Sequence, residues 1–233
     1  MNFPGRQVFI VDPDASRRNG LVTSLRSEEY ETYGMAGKDI FPLNSKRPEI
    51  VFLYTGEAPG WDWRDFADRY RSDRKEQSSL YALGRSETPE GFAGTVEKSG
   101  KVSRDAVLSV LDSNGAKDRR GYVRFGSQGA SIATFEYHLS GKRYAGVVHD
   151  ISIVALSCTF LPEPSDFQAG KKQEITLNLR DYRTTLPGDF TLERDFGGQV
   201  VRIFRFHPPP EPRTRERLSD FIYSSLESKH NPG

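Results

Sequence analysis

The chain has 233 residues, of which 36% are hydrophobic and 28% charged, a composition typical of a globular protein with one large or two small domains. Its 33 lysines and arginines almost balance 32 aspartates and glutamates, so the formal net charge is +1. Because nucleic-acid-binding domains are usually strongly basic, this balance argues against DNA or RNA as a partner, and any anion site must be local. The single cysteine, Cys158, excludes an internal disulfide and favours a reducing compartment.

No stretch reaches the ~20 consecutive apolar residues of a membrane span, and the N-terminus lacks the apolar core of a signal peptide. We therefore expect a cytoplasmic protein without a membrane span. The sequence shows no clustered cysteines and histidines, no nucleophile–base pair and no phosphate-binding loop. It therefore predicts no metal site, no cofactor and no enzymatic activity.

The first half of the chain alternates between strand and helix patterns. Residues 7–11 and 49–54 are nearly unbroken apolar runs, typical of buried parallel strands. Helical spacing of apolar residues follows the first run, at Leu21, Val22 and Leu25. Further elements are predicted as a helix at 61–71, short strands at 80–83 and 92–96, and a helix at 103–111. This alternation predicts a parallel sheet covered by helices on both faces.

This half, roughly residues 6–112, resembles a response-regulator receiver domain. The segment Val-Phe-Ile-Val-Asp-Pro-Asp at 8–14 is similar to the first receiver strand and its acidic corner. The segment Arg-Pro-Glu-Ile-Val-Phe-Leu-Tyr at 47–54 is similar to the third strand, which normally ends near the phosphorylated aspartate. The resemblance implies a flavodoxin-like fold for a domain that we place at residues 1–114.

The departures from the receiver pattern predict a loss of phosphorylation. Tyr54 stands at the position of the acceptor aspartate, and a phenol cannot form an acyl phosphate. Pro13 stands in place of the second corner carboxylate, and magnesium needs such oxygen ligands. We expect Asp12 and Asp14 to form a strand-to-helix turn with a helix cap. The domain is then a pseudo-receiver that docks a protein partner or the second domain.

The second half, residues 115–233, begins with an arginine cluster and continues as short strands. Arg119, Arg120 and Arg124 precede strands predicted at 130–139, 143–152, 155–160, 174–179, 190–194 and 199–206. A helix is predicted at 214–226, after an extended run of three prolines, with Leu218, Phe221, Ile222 and Leu226 on one face. Short strands punctuated by glycine and proline predict a β-barrel or sandwich, with the helix packed on it.

About residues 117–229 resemble a PilZ domain. The family signature is Arg-x-x-x-Arg before the first strand and Asp-x-Ser-x-x-Gly after the second. The first motif corresponds to Arg120 and Arg124, with Arg119 as the additional arginine, and the second to Asp150, Ser152 and Ala155. The resemblance implies a six-stranded barrel with a C-terminal helix that binds cyclic di-GMP, a bacterial second messenger. It also implies signalling that controls motility, with ligand capture changing domain arrangement or partner binding.

Other interpretations of the same residues remain open. The arginines are also compatible with a solvated linker, and Asp150 and Ser152 with a simple turn at a strand end. Ala155 replaces the motif glycine, which is costly only if the position needs a positive φ. The alternative function is a ligand-independent adaptor in which both domains act only as protein-binding surfaces.

Overall fold

The computed structural model describes residues 5–37, 47–72, 78–98, 101–117, 121–126, 132–165, 167, 169–180, 182–196 and 199–230. The chain forms two compact units, Met1–Tyr122 and Val123–Gly233. The predicted division after residue 114 lies a few residues before this boundary, at the end of the last helix of the first unit.

The first unit contains a five-stranded sheet in which every neighbouring pair is parallel. Its elements are β1 (Gln7–Val11), α1 (Ala15–Ser27), β2 (Thr32–Met35), β3 (Glu49–Tyr54), α2 (Trp63–Ser72), β4 (Ser79–Leu83), β5 (Gly94–Thr95), the short strands β6 (Glu97–Lys98) and β7 (Lys101–Val102), and α3 (Arg104–Ser113). The strand order β2-β1-β3-β4-β5 is the flavodoxin-like order that the sequence predicted.

The two strands β1 and β3 are buried because, after the polar first residue of each, their side chains are apolar on both faces. Every residue of β1 and the first five of β3 are buried. Val22 and Leu25 of α1 and Val107 and Leu111 of α3 share a core with them. The predicted strand at 92–96 is shorter than expected, and the described connection from β4 to β5 contains no helix. The sequence also missed β2, which is only four residues long.

The second unit is an antiparallel barrel with a C-terminal helix. Its elements are β8 (Phe125–Gly126), β9 (Ala133–Leu139), β10 (Lys142–Ile151), β11 (Ala155–Phe160), β12 (Gln173–Leu179), β13 (Tyr182–Phe196), β14 (Gln199–Phe206) and α4 (Pro212–His230). The pairing runs β11-β14-β13-β12-β9-β10, and a further pairing of β10 with β11 closes the ring. The predicted six-stranded barrel is therefore confirmed, with β8 added beside β10.

The barrel closes because inward-facing residues alternate with outward-facing ones along each strand. Phe135, Tyr137, Phe190, Phe204 and Leu177 are at most 1% exposed and lie in one core. The buried face of α4 packs on this core through Leu218, Phe221 and Ile222, as the helical spacing predicted. Two boundaries were wrong: the strand predicted at 190–194 begins at Tyr182, and the helix predicted from 214 begins at Pro212.

Within the described ranges, no helix is both long and apolar enough to cross a membrane. The same residues contain no group of three or more metal-ligating side chains positioned to hold an ion.

Candidate functional site

The carboxyl ends of β1 and β3 meet at the switch point of the parallel sheet, where ligands of such sheets commonly bind. Asp12 follows β1 and is 1% exposed. Its carboxylate accepts hydrogen bonds from Arg17 Nε at 2.5 Å and from Arg17 Nη2 at 2.7 Å. The hydrogen bond to Asp12 raises the pKa of the Arg17 guanidinium. The buried carboxylate is therefore already neutralised from within the chain.

Tyr54, at the end of β3, lies directly against this ion pair. The guanidinium carbon of Arg17 is 3.9 Å from the centre of the Tyr54 ring, within the range of a cation–π contact. Two glycines make room for the ring: a Cβ at Gly56 would lie 2.3 Å from the Tyr54 hydroxyl, and a Cβ at Gly84 would lie 2.7 Å from the ring. The position of the phenol is thus fixed by its neighbours.

A cavity of about 620 Å³ opens beside the pair and is lined in part by Ile10, Leu21 and Val102. Asp14 caps α1, because its side chain accepts a hydrogen bond from the Arg17 backbone N–H at 2.8 Å. The predicted capping role of Asp14 is therefore confirmed. The loss of phosphorylation stays a prediction, and an ion-paired Asp12 beside a phenol agrees with it.

In the second unit, the Asp-x-Ser motif forms the turn between β10 and β11. The Ser152 hydroxyl donates to the Ala155 carbonyl at 3.1 Å and accepts from the backbone N–H groups of Val154 and Ala155 at 3.4 and 3.2 Å. Ser152 is 1% exposed. What the structure shows for Ser152 is a role in closing the turn, and its contact with a ligand stays a prediction.

Ala155, in place of the motif glycine, fits the backbone of this turn. It begins β11 and pairs with Arg205 of β14. Among the residues that the structure describes, the non-glycine positions with positive φ are Glu29, Ser140 and Arg180, so Ala155 has an ordinary backbone conformation. A methyl group at this position therefore causes no backbone strain.

Asp150 faces outward next to a β-bulge. The register of β10 against β11 shifts between Val148 and Asp150, which makes His149 the additional residue. His149 Nε2 is satisfied locally by Thr159 Oγ1 at 2.9 Å. Val148 and Ile151 are fully buried in the barrel. The Asp150 carboxylate lies on the outer surface, where it is 35% exposed.

Among the described residues, Asp150 has two side-chain partners. Its Oδ2 accepts a hydrogen bond from Ser157 Oγ at 2.6 Å, and its Oδ1 lies 3.3 Å from Arg124 Nη1. The Arg124 side chain is 33% exposed, but its Nε is buried and has no acceptor within the described part of the chain. Arg124 and Asp150 form a charged pair that is about one-third exposed, and the buried Ser157 hydroxyl holds the carboxylate from one side.

The short strand β8 fixes Arg124 next to Asp150. Gly126 pairs with Asp150, and a Cβ at Gly126 would lie 2.8 Å from the Asp150 Cβ. Phe125 packs edge-on against Phe221 of α4, with ring centres 6.0 Å apart. The close approach of β8 to β10 therefore needs glycine, and both the barrel and the helix anchor the backbone next to Arg124.

The structure thus brings Arg124 and Asp150 together, with Ser152 and Ala155 in the adjoining turn. Arg119 and Arg120 lie outside the described residues, and their roles stay predictions. Sequence reasoning missed Ser157, the second partner of Asp150. Its signal was a polar residue between the apolar Leu156 and Cys158, at a position of β11 whose side chain faces away from the barrel core.

Comparisons with protein-family models and with curated proteins return no match for this chain. Among solved structures, it is similar to the PilZ domain with c-di-GMP of YcgR from Escherichia coli, at 18% identity and a TM-score of 0.41, over 48% of this chain and 95% of that chain. It is also similar to the inhibitor of motility MotI/DgrA from Bacillus subtilis, at 11% identity and a TM-score of 0.39, over 48% of this chain and 53% of that protein.

A third likeness is to a CheY-like response-regulator receiver domain protein from Methanospirillum hungatei JF-1, at 18% identity and a TM-score of 0.38, over 47% of this chain and 94% of that chain. Solved PilZ and receiver structures are thus both found, each over about half of the chain. At these identities and TM-scores the likeness concerns the fold alone.

Proposed function

We propose that the second unit binds cyclic di-GMP on its outer barrel surface, around Arg124 and Asp150. The observation that supports this most directly is a buried Arg124 Nε that has no acceptor among the described residues, beside a carboxylate that is about one-third exposed. Cyclic di-GMP has two phosphates and two guanines. Arginine bonds phosphate oxygens, or guanine O6 and N7, in a bidentate way. A carboxylate accepts from the N–H groups of guanine, so the cluster matches both kinds of group.

The ion pair in the structure is loose enough to be exchanged for a ligand. Its 3.3 Å separation is longer than the ~2.7–2.9 Å of a strong charge-assisted hydrogen bond. Both side chains are about one-third exposed, and ion pairs of this kind contribute about 0–1 kcal/mol. In the proposed complex, Arg124 turns to a phosphate or base edge and Asp150 to guanine N–H groups. Arg119 and Arg120 are proposed as further contacts to the ligand.

Titration calorimetry with cyclic di-GMP tests the proposal. The intact chain is expected to bind, and Arg124→Ala or Asp150→Ala is expected to weaken binding at least tenfold while the fold is retained. Arg143→Ala is the matched control, because Arg143 is likewise an ion-paired arginine of the barrel but pairs with Glu136 at the end of β10 that is far from Asp150. The proposal fails if the intact chain gives no heat well above micromolar ligand, or if Arg124→Ala binds as the intact chain does.

For the first unit we propose docking of a protein partner without phosphorylation. Support comes from Arg17, which already neutralises Asp12, and from Tyr54, which offers no carboxylate to a phosphodonor. Incubation with radiolabelled acetyl phosphate is expected to leave no acyl-phosphate label, that is, no label that survives mild acid and is lost in base. A label of that kind in this unit would contradict the proposal.

The proposed output is a change in domain arrangement or in partner binding when the nucleotide is captured, and catalysis is not part of the proposal. Small-angle scattering with and without cyclic di-GMP measures the first effect. A ligand can shift such an equilibrium only through its different affinity for the two states. The same titration separates this role from a ligand-independent adaptor, which predicts no heat and no change in melting temperature.

A further inference from the structure

Strand β14 presents an exposed arginine next to the motif turn. Arg205 is exposed between the buried Phe204 and Phe206, so it points away from the barrel core. It lies directly opposite Ala155 in the pairing of β14 with β11. The Phe206 backbone N–H also bonds the Val154 carbonyl at 2.9 Å, which ties this end of β14 to the turn. Arg205 is therefore held beside the Asp-x-Ser motif.

The Arg205 guanidinium is available to a ligand. No described residue forms an ion pair with it, although Asp189 lies opposite it on β13. Three of the four other arginines on the described barrel strands differ in this respect, and Arg194 of β13 is the exception. Arg143 and Arg183 pair with Glu136, and Arg202 is buried against Glu163 and Glu193.

An apolar patch formed by Ile203 and Leu192 lies beside Arg205 on the same surface. The strand register aligns four residues in one row across β10, β11, β14 and β13, on the outer face of the barrel. In that order they are Asp150, Ser157, Ile203 and Leu192. Leu192 follows a register shift in β13 and is 46% exposed. Directly opposed side chains on one face lie ~4.5–5.5 Å apart at Cβ, so Ile203 and Leu192 form a continuous apolar surface.

We propose that β14 and β13 form a second wall of the nucleotide site, in which Arg205 binds a phosphate and Leu192 with Ile203 supports the face of a base. This inference rests on the proposed binding of cyclic di-GMP. Arg205 and Asp150 are separated by two strand spacings across the sheet and by two residues along the strand, together roughly 12 Å, which one dinucleotide can span. One wall then holds one phosphate and guanine, and the other wall holds the second pair.

Calorimetric titration of the full chain with cyclic di-GMP tests the arginine. Arg205→Ala is expected to weaken binding about tenfold or more, and Arg205→Lys to restore most of it, because a phosphate accepts from an ammonium as well. Arg143→Ala is the control and is expected to bind as the intact chain does. Intact affinity in Arg205→Ala overturns the role of Arg205, and a Lys variant as weak as the Ala variant overturns the phosphate contact.

The role of the apolar patch is tested by substituting two exposed leucines, one inside the patch and one outside it. Leu192→Ala is expected to weaken binding about three- to tenfold, while Leu161→Ala leaves it unchanged, since Leu161 is 54% exposed beyond the far end of β11. Equal affinities in these two variants overturn the role of Leu192. Circular dichroism and melting curves like those of the intact chain show that each variant is folded.

The two proposals fail in different ways. If the intact chain does not bind the nucleotide, the proposed function is wrong and this inference fails with it. If the intact chain binds, Arg124→Ala loses binding and Arg205→Ala does not, only the second wall is wrong.

Discussion

Ser157 Oγ donates a 2.6 Å hydrogen bond to Asp150 Oδ2, across the pairing of β11 with β10. This bond holds the carboxylate in one orientation while its other oxygen faces Arg124. We predict that Ser157→Ala weakens cyclic di-GMP binding about tenfold or more, because a hydrogen bond to a charged group contributes about 1.5–3 kcal/mol. Calorimetry measures the change. Thr176→Ala removes an exposed strand hydroxyl on β12 and serves as the control; equal affinities in the two variants would contradict the prediction.

Ala155 is expected to be a neutral replacement for the motif glycine. Its backbone φ is not positive, so the methyl group costs nothing in strain. We predict that Ala155→Gly changes the affinity for cyclic di-GMP less than threefold and lowers stability by about 0.5–1 kcal/mol, since glycine loses more backbone entropy on folding. Binding that improves tenfold or more in Ala155→Gly would show that the methyl group obstructs the ligand.

Removing Arg17 is expected to destabilise the first unit. Arg17→Met leaves the buried Asp12 carboxylate with only the Asp14 backbone N–H among its described hydrogen-bond donors, which we expect to cost about 2–4 kcal/mol. Urea unfolding followed by tryptophan fluorescence reports this unit alone, because both tryptophans of the chain, Trp61 and Trp63, lie in it.

Two further variants test the cause of that loss. Arg69→Met breaks the exposed pair with Asp65 and is expected to cost less than about 0.5 kcal/mol. Asp12→Asn combined with Arg17→Met removes the buried charge and is expected to recover part of the stability. A double variant no more stable than Arg17→Met would mean that the charge is not the cause.

Cys158 is expected to be inert in the folded protein. It is fully buried in the barrel, and burial raises the pKa of its thiol well above the ordinary 9.0. We predict that iodoacetamide labels it at least ~1000-fold more slowly in the native protein than in urea, because only the thiolate reacts and only unfolding exposes it. Labelling at the unfolded rate without denaturant would contradict this.

The same thiol makes the stability of the second unit depend on pH. Above about pH 9 the unfolded chain releases the thiol proton while the folded chain keeps it. The stability that the neutral thiol contributes is present below that pH and declines as pH rises, by at most about 1.4 kcal/mol for each pH unit. Urea midpoints measured by circular dichroism at pH 8 to 10.5 are expected to fall less in Cys158→Ala than in the intact chain.

Much of the fold could be predicted from the sequence, because local patterns carried it. Apolar runs predicted that β1 and β3 are buried on both faces, and helical spacing predicted the buried face of α4. The structure buries the same faces. Elements without such a pattern were missed or misplaced. β8 has two residues, β2 has four, and the long strand β13 begins with polar residues that read as a loop.

The candidate site divides in the same way. Sequence alone determined the residue types of the two motifs, including Arg124, Asp150, Ser152 and Ala155, and the absence of an acceptor carboxylate at Tyr54. Only the tertiary structure decided their partners. The side chain of Asp150 contacts those of Ser157 and Arg124, and Arg205 pairs with Ala155 across two strands. Strand register brings these residues together from separate parts of the chain. Register depends on which faces a closed barrel can bury together, and that is a property of the whole unit rather than of any one strand.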